Sequence, residues 1–147
     1  MTTVVLDASV VVKWIFTDRD RESHSLQALR ILELIRASHL SVVQPPHWLA
    51  EVASVIARLE PKLAHQAVSL LYALEFPIVD RIEVYEKACD LAAVMGQHVF
   101  DTLYHAVALE EPGATLVTAD ERYYRKASTA GRIVRLRDYR AMHTPAE

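Results

Sequence analysis

Residues 3–13, TVVLDASVVVK, decide the fold class. Thr3–Leu6 is a short β-branched run that reads as a buried strand, and after Asp7 the apolar spacing changes to that of a helix, Ser9–Phe16. A strand passing straight into a helix opens a βα unit. The same alternation continues outward along the chain. Further strand-like runs are Leu40–Val43, Pro77–Val79, Thr115–Thr118 and Ile133–Leu136. Between them the periodicity predicts helices over Arg21–Ala37, Pro46–Leu59, Pro61–Leu74, Ile82–Met95, Val99–Glu110 and Glu121–Ala127. Pro45-Pro46 supports the start of the third, because proline's fixed φ and missing donor suit a first helical turn. Strand and helix in repetition predict an α/β domain with a central parallel sheet covered by helices on both faces. There is no internal repeat, linker or low-complexity stretch, so residues 1–147 are read as a single domain.

Composition narrows the function. Of 147 residues, 52% are hydrophobic and 24% charged, enough for a sizeable core and too apolar for a disordered chain. A mean hydropathy of +0.10 permits a membrane protein, yet Asp7 and Lys13 interrupt the apolar N-terminal stretch, and no run approaches the roughly 18 apolar residues of a spanning helix. MTTVV lacks the basic opening of a signal peptide, and Cys89 stands alone, so a reducing, cytoplasmic setting is expected. Gly96, Gly113 and Gly131 are too few and too scattered for a phosphate-cradling GxGxxG or Walker loop. The serine and zinc hydrolase motifs GxSxG and HExxH are also missing. The net charge of −3 hides an asymmetry: residues 121–140 carry seven Arg or Lys against two acids, which leaves an acidic remainder. That basic end is either a solvated face or a polyanion-binding surface.

In open α/β sheets the ligand crevice lies beyond the carboxyl ends of the strands. Asp7 follows the first strand, and Asp120 sits two residues after Thr118 closes another, so both acids belong to that rim. Glu51 lies in HWLAEVASVIARL, about 100° from the centre of the apolar stripe, where it borders buried surface. It is read either as a flanking glutamate, snorkelling or paired with Arg58, or as a site acid. Asp101 belongs to VFDTLYHAVAL, a helix apolar on nearly every side; it either caps that helix or is a buried, paired carboxylate. His98, Asp101 and His105 share one helical face and form a possible nitrogen and oxygen metal site. Four acids from four elements cannot all ionise at close range without compensation, and no Lys or Arg adjoins Asp7 or Asp101 in sequence. Hard divalent cations, Mg²⁺ or Mn²⁺, would supply it.

With these residues in view, VVLDASVVVKW, VVQPPHWLAEVASVIARL and FDTLYHAVALEEPGATLVTADERYYRKA resemble the PIN-domain ribonucleases, and most closely the VapC-type toxins of bacterial toxin–antitoxin pairs. The likeness spans most of the chain. Carried over residue by residue, Asp7, Glu51, Asp101 and Asp120 match the family's metal-binding acids, and Ser9 and Thr118 match the small hydroxyl positions beside them. The chain departs from many relatives at Ser54, where they carry asparagine. The resemblance implies a three-layer α/β/α domain, a homodimer, and Mg²⁺- or Mn²⁺-dependent hydrolysis of RNA phosphodiester bonds by a metal-activated water. It also implies inhibition by a small cognate antitoxin of the VapB type. Arg122, Arg125 and Lys126 would hold flanking phosphates, and Tyr123 or Tyr124 would stack on an unpaired base or else pack internally.

Two other readings stay open on sequence. A haloacid-dehalogenase-like phosphatase also places an aspartate after its first strand, but normally carries a second one two residues on, where this chain has Ser9. In a non-catalytic binding module the acids are structural and the basic end holds RNA or a protein partner. Incubation with a phosphomonoester separates the first from a nuclease, and metal dependence separates the second.

Overall fold

Val4, Val5 and Leu6 are consecutive and all buried, so the strand they belong to is covered on both faces. The computed structural model describes residues 1–16 and 24–140. In chain order the elements are β1 (Thr2–Leu6), α1 (Ala8–Ile15), α2 (Ser25–Arg36), β2 (Leu40–Val42), α3 (Trp48–Leu59), α4 (Ala64–Tyr72), α5 (Ile82–Met95), α6 (Val99–Glu110), β3 (Ala114–Thr118), α7 (Glu121–Ala127) and β4 (Ile133–Arg135). The predicted first residues of the second helix, 21–23, lie outside the described residues. Four strands form one parallel sheet in the order β2-β1-β3-β4, with Thr2 opposite Leu40, Leu6 opposite Val117 and Leu116 opposite Ile133. Both α1 and α6 pack on β1 and β3, and α2 and α5 back them in turn, which makes the three-layer α/β/α arrangement expected of the sequence.

The core runs through all three layers. Val10 and Val11 enter it from α1 and Ile31 from α2, and Val84, Tyr104 and Val107 belong to the same continuous cluster through α5 and α6. Each is essentially inaccessible to water. Burying a side chain of this size removes apolar surface worth about 1.5–3 kcal/mol, which is what holds otherwise marginal short helices such as α1 in place.

Three predicted elements differ from the structure. Pro77–Val79 is not a strand; it makes a single parallel bridge between Gln44 and Ile78, with Gln44 N–H donating to Pro77 O at 3.0 Å and Val79 N–H to Gln44 O at 2.9 Å. Pro77 has no N–H to extend the ladder. The third helix starts at Trp48, not Pro46, because Trp48 N–H closes a turn onto Pro45 O at 3.3 Å first. The predicted Pro61–Leu74 helix divides into a 3-10 turn, Pro61–Leu63, and α4.

Gln44 replaces what a longer β2 would have done. Its side chain is fully buried; Nε2 donates to Leu6 O at 2.9 Å and Oε1 accepts from Leu6 N–H at 3.0 Å. One amide thereby satisfies both backbone groups of the last residue of β1.

Candidate active site

The strand order changes direction between β1 and β3, so the topological switch point, where α/β folds open a crevice, lies between these two strands. Asp7 leaves β1 and Asp120 follows β3 at this point. Asp7 N–H donates to Val117 O at 3.1 Å, holding the two strand ends together. Asp7 Oδ2 accepts from Ser9 N–H at 3.0 Å, capping α1, and from Ser9 Oγ at 2.5 Å. Asp120 Oδ1 accepts from Tyr123 N–H at 2.9 Å, capping α7, and Thr118 Oγ1 accepts from Asp120 N–H at 3.0 Å. Ser9 and Thr118 therefore shape the rim instead of facing solvent freely.

Burial is the main reason the Asp7 carboxyl is pushed up to about 6. The two hydrogen bonds from Ser9 pull it down, and the charges of Glu51 and Asp101 push it up again. The same acids act on two buried tyrosines. Tyr104 is raised by burial and then by Glu51, Asp7 and Asp101; Tyr123 is raised by burial and then by Asp7, Asp101 and Asp120. Four acids from four separate elements thus share one electrostatic neighbourhood.

Asp101 occupies the first turn of α6, but it does not cap the helix: His98 is the N-cap residue, and the Asp101 Oδ2 atom instead accepts from Gln97 Nε2 at 2.7 Å. Glu51, in the first turn of α3, has a carboxylate oxygen 3.1 Å from His47 Nε2, so its neighbour is His47 and not Arg58. The hydrogen bond of that ring nitrogen goes to Phe100 O at 2.7 Å. That Glu51 oxygen, Oε2, therefore accepts no hydrogen bond although it is buried, and the Tyr104 hydroxyl is likewise buried without a hydrogen-bond partner. Gln97 and His47 were legible in principle, because each lies four residues ahead of an acid, one helical turn away. Tyr104, in the middle of an apolar run, carried no such signal.

Among the described residues no group of three or more His, Cys, Asp or Glu side chains stands ready-formed around a metal position. The chemistry of the donors nevertheless fits a hard divalent cation: the candidate ligands are all carboxylates, one buried Glu51 oxygen accepts no hydrogen bond, and the charges of Glu51 and Asp101 add to the burial that raises Asp7. The alternative histidine site is not formed. His105 turns into the core, with Nδ1 3.0 Å from Tyr123 Oη and Nε2 2.8 Å from Gly131 O, while His98 is exposed at the helix start. Burial lowers the His105 pKa.

The basic end is less free than its charge count implied. Arg135 pairs with Asp138 at 2.6 Å and Glu121 at 3.5 Å, Arg137 with Glu121 at 3.4 Å, and Arg132 donates to Glu111 O at 2.9 Å. Arg122, Arg125 and Lys126 are exposed. Arg122 and Lys126 line a hollow with Gly96, Gln97, His98, Asp120 and Tyr123, and Arg125 does not. Of the two readings of the tyrosines, internal packing holds for Tyr123, which is 4% exposed and bonded to His105, while the Arg135 guanidinium lies 5.0 Å from the centre of the Tyr124 ring.

No helix among the described residues is long and apolar enough to cross a membrane. No curated protein matches the chain. The PIN domain family matches residues 4–128, more than half of the chain, in keeping with the parallel sheet and the acids at its switch point. The phosphatase reading, already short of its second aspartate, is set aside, for the chain belongs to the PIN domain family, whose members are generally nucleases.

Proposed function

We propose that this chain is a divalent-metal-dependent endoribonuclease of the VapC toxin type, with Asp7, Glu51, Asp101 and Asp120 as the acids that hold Mg²⁺ or Mn²⁺. The observation that carries this reading is the Asp7 carboxyl buried at the β1/β3 switch point, raised chiefly by that burial and further by the charges of Glu51 and Asp101 arriving on two other elements. When bound, the cation supplies Lewis acidity toward a phosphodiester and lowers the pKa of water for in-line attack.

The chain's own residues do the positioning. Ser9 and Ala119 fix where Asp7 sits, the Tyr123 amide fixes Asp120, and Gln97 orients Asp101. Arg122 and Lys126, one helical turn apart beside Asp120, hold phosphates flanking the scissile bond. A single domain acting in the cytoplasm, a homodimer and a small VapB-type antitoxin over the acidic crevice complete the proposal.

The test is RNA cleavage by purified protein with Mg²⁺ or Mn²⁺, with and without EDTA, alongside Asp101→Asn. Cleavage that stops on chelation, returns with added metal and is lost in the variant is the expected result. Full cleavage in EDTA by contaminant-free protein, or an active Asp101→Asn enzyme, refutes it.

A further inference from the structure

Gln97 stands between two groups of opposite charge, Asp101 on α6 and Lys126 on α7. Its Nε2 donates to Asp101 Oδ2 at 2.7 Å, and its Oε1 accepts from Lys126 Nζ at 3.1 Å. An ammonium only donates and a carboxylate only accepts, so these two partners leave the amide one satisfactory orientation. Reversing it would set a carbonyl oxygen against a carboxylate and an NH₂ against an ammonium. The backbone prepares this arrangement. Gly96 ends α5 with φ +62°, a left-handed conformation suited to glycine, and Gln97 N–H closes back onto Ala92 O at 3.1 Å. The chain then enters α6 at His98, which brings Asp101 one turn beyond Gln97.

We propose that Gln97 is a positioning residue that ties the phosphate-holding cation Lys126 to the carboxylate of Asp101. The inference rests on the metal-nuclease reading of the same site and deepens it. Gln97 holds Asp101 in the rotamer that faces the other acids, and Lys126 keeps the Gln97 amide from turning over. Phosphate binding and cation binding are thereby mechanically joined through one side chain, although Lys126 touches neither Asp101 nor the cation in this role.

The consequence has a sign that electrostatics alone does not share. Removing a positive charge beside a cation site strengthens cation binding if charge is all that matters. If Lys126 acts by anchoring Gln97, its removal weakens cation binding instead.

The experiment is Mn²⁺ titration of the full chain without RNA, followed by electron paramagnetic resonance, for wild type, Gln97→Met, Lys126→Met and the double variant, with melting curves recorded on each. Both side chains lie toward the surface, so the variants are expected to melt close to wild type. Gln97→Met is expected to weaken Mn²⁺ binding about tenfold, the scale on which partners of metal-ligating groups act. Lys126→Met is expected to weaken it as well, and the double variant to be no weaker than Gln97→Met alone. Unchanged affinity in Gln97→Met, or tighter binding in Lys126→Met, overturns the inference while leaving the nuclease reading intact. A wild-type protein that binds no Mn²⁺ overturns that reading, and the role of Gln97 with it.

Discussion

Ser9 Oγ accepts the backbone N–H of Ala119 at 3.0 Å, joining residues 110 apart in sequence across the switch point, while the same hydroxyl donates to Asp7. A side chain with one proton and two lone pairs is thus used in both senses at once. Ser9→Ala leaves a backbone donor without its partner and removes a bond that holds Asp7 ionised. It is expected to cost about 1–3 kcal/mol in urea unfolding and to raise the Asp7 pKa further, read from carboxyl chemical shifts. An unaltered Asp7 titration contradicts this account of the rim.

The Asp7 carboxyl titrates near 6 in the folded chain, against 3.8 as the ordinary value. Between these values the folded state binds the extra proton, so metal-free stability falls as pH rises from about 4 to 6. At about 1.4 kcal/mol per unit, the loss is roughly 2–3 kcal/mol. Asp7→Asn keeps a competent cap for α1 and removes the charge. In chelator at pH 7 it should melt above the wild type, and at pH 4 the two should converge; a wild-type advantage at pH 7 runs against the prediction.

His105 imposes the opposite slope. Burial lowers its pKa, so the unfolded chain binds a proton first, and stability declines as pH drops below about 6.5. His105→Phe should abolish that decline. At neutral pH it should also cost about 1–3 kcal/mol, since Tyr123 Oη and Gly131 O lose their partner. Urea midpoints from pH 5 to 8 measure both effects, and a variant with the wild-type slope assigns the dependence elsewhere.

The three exposed cations of α7 are not equivalent. Arg122 and Lys126 share the hollow beside Asp120 and Arg125 lies outside it, so neutralising either of the first two should lower the salt slope of RNA binding by about 0.7. Arg125→Gln should leave the slope almost unchanged. Equal losses at all three positions would indicate a diffuse basic surface.

The fold could be read from sequence where burial and spacing agree. Ile82–Met95 and Val99–Glu110 have strong helical spacing, and the left-handed Gly96 separates them as the residue type permits. Pro77–Val79 had strand-like side chains, but no local signal records whether a partner edge is available, and here that edge is a single residue, Gln44. At the site, Asp7 and Asp120 followed from strand ends, since topology fixes where a strand delivers its next residue. The capping role weighed for Asp101 instead belongs to Asp7 and Asp120, because a cap depends on where the helix begins to within one residue. The two readings of Tyr123, stacking or internal packing, stayed open on sequence for a related reason: on a helix as short as α7, the buried side is chosen by β4 and α6, not by apolar periodicity.

With its backbone and one side-chain amide, Gln44 ties two remote stretches, Leu6 in β1 and Pro77–Val79 before α5, to its own position after β2, so that three stretches meet there. If any one stretch detaches, a fully buried amide or a backbone group is left unpaired, and that penalty falls on the other two. Fraying one piece at a time is therefore suppressed, and the region opens as a unit. In hydrogen exchange, the amides of Leu6, Gln44 and Val79 should report one common opening free energy despite belonging to segments of different length and exposure. Gln44→Leu, which fills the space and loses the amide, should split them into separate rates.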